Sequence, residues 1–437
     1  MRAIFCAFFG VVFLLPSLNA AKAEIFVKPP AIESMVDFWE SVYVGVSTDE
    51  GLLHDSDNLA LVYETIEIDR DSSRSERKAQ IGQRKKYWRE VLLDLAAGTP
   101  PVGRPEKHIV EAFTKALGRA PTTEDYRLAT QRLRFQQGQR EKFKAGLVRS
   151  GAYDAEIRQI LRIHRVPEEL ALLPHVESSF LIHVYSKSGA AGMWQFIPAT
   201  GRRFLTINHT IDERLSPKAS TFAAAKLLRA NFEKLGSWPL AITAYNHGAA
   251  GMSRAKQKMG TDDIGVICLN YKGRNFGFAS RNFYGQFLAA RRVVLDYEAY
   301  FGPLKLATPM EVDKWILPYF VDAAGLSDYL NLSTQSLSSL NPSLAQSVWR
   351  ADRWIPKGYE LKLPAGTLKD DAQTWIASVP MNLRHAKQRR SLYHTVTVGE
   401  TLTHIARTYG TTIDSLVALN GLANPNQIFP GQKLEMK

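Results

Sequence analysis

One acidic residue closes an otherwise apolar run. Leu170-Ala171-Leu172-Leu173-Pro174-His175-Val176 leads into Glu177, which is followed by Ser178-Ser179-Phe180. On a helix starting at Pro167, residues 170, 173 and 177 fall at i, i+3 and i+7, so Glu177 shares a face with Leu170 and Leu173. A carboxyl held against such a face loses hydration, and desolvation raises its pKa toward the range where it donates a proton near neutrality. That is the environment of a general acid. The alternative is a helix-end Glu serving a salt bridge or a cap.

Further blocks follow in order. They are Gly192-Met193-Trp194-Gln195 within the stretch 186–198, Ala244-Tyr245-Asn246 within 240–248, and Phe278-Ala279-Ser280-Arg281-Asn282-Phe283-Tyr284. With the Glu177-Ser178 pair, these blocks resemble the signature of lytic transglycosylases, which cleave the glycan of peptidoglycan and have a lysozyme-like helical fold. The resemblance implies Glu177 as the catalytic residue, with Ser178 and Gln195 bonding the sugar or holding Glu177. It implies Tyr245 and Asn246 as orienting the substrate's acetamido group and Tyr284 as donating toward the carboxyl. Met193 joins the substrate-binding set, although Met and aromatic residues such as Trp194 and Phe196 more often pack a core. One departure stands out: many relatives carry an acidic residue shortly before the last tyrosine, where this chain has Ala279-Ser280.

Around these blocks the chain has readable punctuation. Ser216-Pro217 is an N-cap with proline at the first helical position, opening a helix that runs to Leu235 and stops at Gly236. Pro239 starts the next helix, which ends at Gly248 and puts Tyr245 and Asn246 in its last turn. Helix after helix with short polar breaks predicts a mainly α protein, and the resemblance implies a lysozyme-like catalytic domain over 150–305. A helical N-terminal extension over 24–149 precedes it, with helices expected at 73–95 and 123–150. Small side chains from Ser188 to Gly192 let backbone approach a bulky polymer closely.

After residue 310 the texture changes to short strands and small helices. Residues 393–437 read strand, helix, helix, strand, and with Gly399-Glu400-Thr401-Leu402 and Pro430-Gly431-Gln432 they resemble a LysM module, a small α+β unit that binds N-acetylglucosamine-containing glycans. The resemblance implies Gly399, Glu400, Thr401, Ile428, Pro430 and Gly431 as the glycan-binding residues of a domain spanning 392–437. Ser336-Leu337-Ser338-Ser339-Leu340-Asn341 echoes Ser415-Leu416-Val417-Ala418-Leu419-Asn420, so 318–364 reads as a diverged LysM-like copy, and 365–391 as a basic linker.

Residues 1–23 have the positive, apolar and small-x-small regions of a secretory signal peptide, with Ala21-Lys22-Ala23 at the cleavage site. Without it Cys268 is the sole cysteine, so no intramolecular disulfide can form and the hydrophobic core must supply stability. The expected location is the periplasm or cell envelope. The formal charge is +12, of which Arg2 and Lys22 belong to the leader. A positive surface suits a polyanion. A secreted chain without a recognition motif argues against nucleic acid. Peptidoglycan strands with their stem-peptide carboxylates are the expected partner, and anionic headgroups leave peripheral membrane association open.

No cofactor and no metal are expected, since the ten histidines show no ligand spacing with carboxylates or thiols. No second acidic residue lies in the blocks. Asp212, Glu213, Asp262 and Asp263 are nearest, among neighbours that suggest loops and caps. The lytic mechanism implied by the family needs none, because the muramyl sugar's own 6-hydroxyl closes a 1,6-anhydro ring. The alternatives are a hydrolytic lysozyme-type muramidase and a non-catalytic wall-binding scaffold.

Overall fold

The computed structural model describes residues 25–368, 374–375, 378–389, 393–422 and 424–436; the expected signal peptide, 1–23, lies outside them. The chain opens with α1 (Glu33–Val44), whose apolar stripe of Met35, Val36, Trp39, Val42 and Tyr43 is buried. It then enters a three-stranded antiparallel sheet of β1 (Glu50–Asp55), β2 (Val62–Glu67) and β3 (Leu133–Gln137), in the order β2-β1-β3. Between β2 and β3 run α2 (Arg74–Ala96), α3 (Arg104–Leu117) and α4 (Thr123–Thr130). Ser73 starts α2 with a full capping box against Glu76, as the sequence suggests. The sheet and these helices close their own core around Trp88, Leu92, Ile109 and Phe113.

The helix expected over 123–150 is two helices with a strand between them: α4, β3, then α5 (Arg140–Ser150). The break falls where backbone crowding demands it. Gly138 donates to Glu50 O at 2.9 Å, and a Cβ there would sit 2.2 Å from Ser47 O. The pairing partner of β3 is β1, some 80 residues earlier, so tertiary pairing overrides the local helical pattern.

The helices of the 150–305 region are α6 (Asp154–Ile163), α7 (Leu173–Glu177), α8 (Pro198–Gly201), α9 (Pro217–Leu235), α10 (Trp238–His247), α11 (Ala249–Met259), α12 (Ile264–Asn270), α13 (Phe278–Leu295) and α14 (Tyr297–Phe301). Ser216 caps α9 and Gly236 ends it in the left-handed region, as expected. The core of these helices does not stop at residue 150. Phe26, Trp39, Tyr43, Phe143 and Leu147 are buried in the same cluster as Leu170, Trp194, Ala224, Leu240 and Phe287. α1 is tied to α13 by Trp39 Nε1 donating to Asn282 Oδ1 at 3.1 Å, and by Arg292 reaching Asp37 and Glu40. The sheet and α2–α4 are thus an insertion between two helices, α1 and α5, that belong to the main core.

Two small units follow. In the first, strands Val312–Ile316 and Glu360–Pro364 pair antiparallel around helices Ala323–Tyr329 and Thr334–Leu340. In the second, strands Tyr393–Thr395 and Lys433–Glu435 pair around helices Leu402–Tyr409 and Ile413–Asn420. Both close with the same clasp. Asn341 donates to Lys362 O and accepts from Lys362 N; Asn420 donates to Glu435 O and accepts from Glu435 N. The asparagines that end the two echoed segments thus make equivalent bonds, and the first unit's outer strand begins at Val312. The expected linker is partly packed: Arg384–His385 pairs with Phe320–Val321, and Val379 and Leu383 join the first unit's core. Its remaining residues, 369–373, 376–377 and 390–391, lie outside the described set.

Candidate active site

The segment after Pro167 is not one α-helix. A 3-10 turn, Glu168–Leu172, hands over to α7, which ends at Glu177. Leu170 and Leu173 are fully buried, and the tighter first turn lets both anchor the segment while the last turn carries Glu177 to the surface of the core. The chain then turns sharply: Ser179 has φ 50° and Phe180 φ 60°, conformations that non-glycine residues rarely adopt. Two features hold this strained turn. Arg149 donates to Ser179 O at 3.0 and 2.6 Å, and Gly146 lets α5 approach so closely that a Cβ there would lie 3.1 Å from the Ser179 side chain.

Glu177 is half-buried, and no hydrogen-bond donor or cation among the described residues meets its carboxylate. Burial pushes its pKa up to about 8. A carboxyl with neither a donor nor a cation keeps its proton, because the ionised form has nothing to replace its lost water. Glu177 is close enough to raise the pKa of two phenols, partly buried Tyr245 and buried Tyr43, after the larger effect of their own desolvation. Tyr43 is on α1, in the N-terminal region that the sequence assigns to a separate extension. It stacks on Phe143 at 4.7 Å, and Phe143 stacks on His175 at 5.1 Å. Burial takes His175 down to about 3, so it is a neutral packing residue.

The Gly192–Gln195 turn packs beside Glu177. Ser178 Oγ donates to Met193 O at 2.9 Å, and Tyr245 Oη donates to Trp194 O at 2.8 Å. Ser178, Met193 and Tyr245 therefore converge on one loop backbone. Gln195 stands at φ 48°, with Nε2 donating to Gly192 O at 2.8 Å. Met193 and Trp194 are fully buried, and Trp194 Nε1 donates to Thr221. Asn246 accepts from Ser280 Oγ at 2.8 Å, so Ser280 of the departing fourth block is an orienting donor for it. Tyr284 is placed by α13. It is fully buried on α13 and donates to Val27 O at 2.8 Å, on the segment leading into α1.

Arg214, which the sequence reading did not single out, braces the loop from behind. Buried, it donates to Gly189 O and Phe196 O and pairs with Asp212 at 2.7 Å. Gly192 is required here: its φ is 76°, and a Cβ would lie 1.9 Å from Arg214 O. The four nearest acidic candidates are occupied by structure. Asp212 holds Arg214, Glu213 accepts from Thr206 N, Asp262 lies 3.7 Å from Lys256, and Asp263 caps α12.

In the C-terminal unit, Gly399, Thr401, Pro430 and Gly431 are exposed and Ile428 packs on the local core. Phe429, between Ile428 and Pro430, is an exposed aromatic that the sequence reading passed over. Thr401 caps its helix by accepting from His404 N. Glu400 is turned inward to His394, Thr397 N and His209.

A family model described as the Transglycosylase SLT domain matches residues 156–267, and one described as the LysM domain matches 394–437. The chain is 29% identical over 287 residues to membrane-bound lytic murein transglycosylase D of Escherichia coli, in strain K12 and in an O6:H1 strain. That alignment covers 62% of this chain and 60% of the relative, so the chain spans about 60% of the length of the curated relatives it matches. Among solved structures, an inactive mutant of the lytic transglycosylase Slt from Pseudomonas aeruginosa matches with a TM-score of 0.28 at 13% identity, covering 52% of this chain and 34% of that one.

Proposed function

We propose that this chain, an SLT-domain and LysM-domain homologue of lytic murein transglycosylase D, is itself a peptidoglycan lytic transglycosylase. It cuts the β-1,4 bond between N-acetylmuramic acid and N-acetylglucosamine and leaves 1,6-anhydro-muramyl ends. One observation carries the reading: Glu177 is a partly exposed carboxyl that meets no donor or cation among the described residues, and burial holds it protonated up to about pH 8. A protonated carboxyl at neutral pH is a general acid.

The steps follow from that proton. Glu177 protonates the bridging oxygen as the C1–O bond breaks and positive charge develops at C1. The resulting carboxylate, now ionised in a dry environment, is a strong base and accepts the proton of the same sugar's 6-hydroxyl. That oxygen attacks C1 and closes the anhydro ring, and Glu177 is protonated again. No water is consumed, so one residue serves both halves and no second carboxylate is needed. Ser178 and Tyr245 fix the loop that faces Glu177, while Asn246, oriented by Ser280, and Gln195 offer amide groups to the acetamido and hydroxyl groups of the sugar. Tyr284, bonded to Val27 O, supports the junction of α13 with the N-terminal segment in this reading.

The signal peptide over 1–23 delivers the enzyme across the inner membrane to the periplasm, where the 392–437 module binds glycan strands and raises the local concentration of the catalytic domain. Residues 312–364 are a diverged LysM copy that keeps the asparagine clasp. Among the described residues no helix is long and apolar enough to cross a membrane. Mass spectrometry of digested peptidoglycan, with and without borohydride reduction, tests the chemistry. Anhydro-muramyl ends that resist reduction are expected. Reducible ends, one water heavier, would instead assign a hydrolytic muramidase with Glu177 as its acid, and no cleavage at all would leave a wall-binding scaffold.

A further inference from the structure

His209 follows α8 in the catalytic region, whereas His394 and Glu400 belong to the C-terminal unit, and the fold brings all three together. His394 Nε2 lies 2.9 Å from Glu400 Oε2, His209 Nδ1 lies 3.3 Å from Glu400 Oε1, and the two imidazole rings are 4.1 Å apart. One ligand atom from each residue lies within 4.8 Å of the others. All three side chains are about nine-tenths buried or more, with 8%, 3% and 11% exposure.

We propose that His209, His394 and Glu400 form a zinc-class metal site that fastens the C-terminal unit to the catalytic region. Four observations favour a metal over a plain hydrogen-bonded cluster. Among the described residues neither ring nitrogen of buried His209 has a hydrogen-bond partner, even though Nδ1 sits near the Glu400 carboxylate. His175 also has two unused ring nitrogens, but it packs against the rings of Phe143 and Phe180, whereas His209 has a second imidazole and a carboxylate within ligand reach. The spacing also fits, because ligands at zinc distances around a tetrahedral ion stand roughly 3.3 Å apart, close to the two separations to Glu400.

Outer contacts point the same way. Tyr409 Oη is 3.4 Å from His394 Nδ1, and Thr397 N donates to Glu400 Oε2 at 2.6 Å, so both ligands of the C-terminal unit are held from behind. His209, His394 and Glu400 all line a cavity of about 630 Å³, together with residues of the 335–353 segment, so water or a ligand group has room to complete a shell. Two imidazoles and one carboxylate select zinc or a neighbouring transition metal over calcium or magnesium, which prefer all-oxygen shells. The site also sits at a physical seam: a Cβ on Gly399 would touch Pro198 at 3.4 Å, and one on Gly189 would lie 3.6 Å from Gly399 Cα.

Titration calorimetry of the EDTA-stripped full chain with zinc chloride tests this, with magnesium and calcium chloride as comparisons. The expected result is one zinc per chain, no saturable magnesium or calcium binding, and at least a hundredfold weaker zinc binding in His209→Ala. X-ray absorption of the zinc-loaded protein should report two imidazoles among nitrogen and oxygen neighbours. Since His209→Ala removes a packed side chain, Glu400→Gln is measured beside it, with circular dichroism to certify the fold. Absence of stoichiometric zinc, or zinc bound equally well by either folded variant, overturns the site.

Discussion

Two inward-turned glutamates in one chain show how far surroundings dictate protonation. Glu177 ends a short helix among leucines and aromatic rings, meets no donor or cation among the described residues, and is pushed up to about 8. Glu400 is also desolvated, which alone would raise it, yet bonds from His394 and the Thr397 N–H and the charge of His394 outweigh burial and hold it below the usual carboxylate range. Burial is common to both; the partner decides. The unpaired carboxyl is fit to give a proton away, and the paired one is fit to stay ionised and in place.

The strongest way to break this contrast is Glu177→Gln. The amide keeps the shape but cannot shuttle a proton, so clearance of purified sacculi should fall by about 10³-fold or more with an unchanged circular dichroism spectrum. Wild-type clearance by a folded variant would remove Glu177 from the chemistry. The wild-type profile adds a second check. Activity that depends on a protonated Glu177 should decline as pH rises through about 8, and a decline centred near an ordinary carboxylate pKa would contradict the desolvated environment.

Next in size is the frame around Glu177. Gly192→Ala places a Cβ 1.9 Å from Arg214 O at φ 76°, so the loop must shift. The expected cost is about 2–4 kcal/mol, read by denaturant unfolding, together with a loss of clearance beyond what stability explains. A variant of wild-type stability and activity would mean that the loop is not the rigid platform its hydrogen bonds imply.

The two glutamates also differ in how far the sequence announced them. Glu177 was legible because its signal is local: an apolar run, a terminal acid, and neighbouring blocks that each fold close to where they are read. The cap at Ser216, the stop at Gly236 and the strand-helix-helix-strand order after residue 393 were legible for the same reason. Tyr43, Arg149 and Arg214 were not, because each acts on residues that are distant in sequence or through backbone carbonyls, which leave no mark on residue type. The cluster at Glu400 is the extreme case, since its histidines lie in separate units and have no spacing to read. The strand Leu133–Gln137 hid inside a helical pattern until β1 supplied its partner, with Gly138 as the one local clue.

Stability against pH separates the pair more finely. A carboxyl whose folded pKa is raised binds a proton that the unfolded chain has released, so folding loses stability as pH climbs from the ordinary value of 4.5 to about 8 and stays at the reduced level above. Glu177→Gln removes that penalty. The variant should match wild type near pH 4 and exceed it near pH 8, by about 1–3 kcal/mol, the usual cost of leaving a buried polar group unmatched. Chemical denaturation at the two pH values reads the difference, and equal stability at both would mean that Glu177 is solvated after all.

Glu400→Gln should move the other way, and by less. At neutral pH in the presence of EDTA, the substitution discards a charge that His394 and the Thr397 N–H bond directly, while the amide oxygen can still accept from Thr397. The loss is that of one charge-assisted hydrogen bond partly replaced by a neutral one, about 0.5–1.5 kcal/mol. Unfolding of the C-terminal unit followed by denaturant titration measures it. The opposite signs of the two Glu→Gln changes are the point of the pair. If both substitutions stabilise, the ring of donors around Glu400 fails to repay its burial and the contrast between a proton donor and an anchored anion collapses.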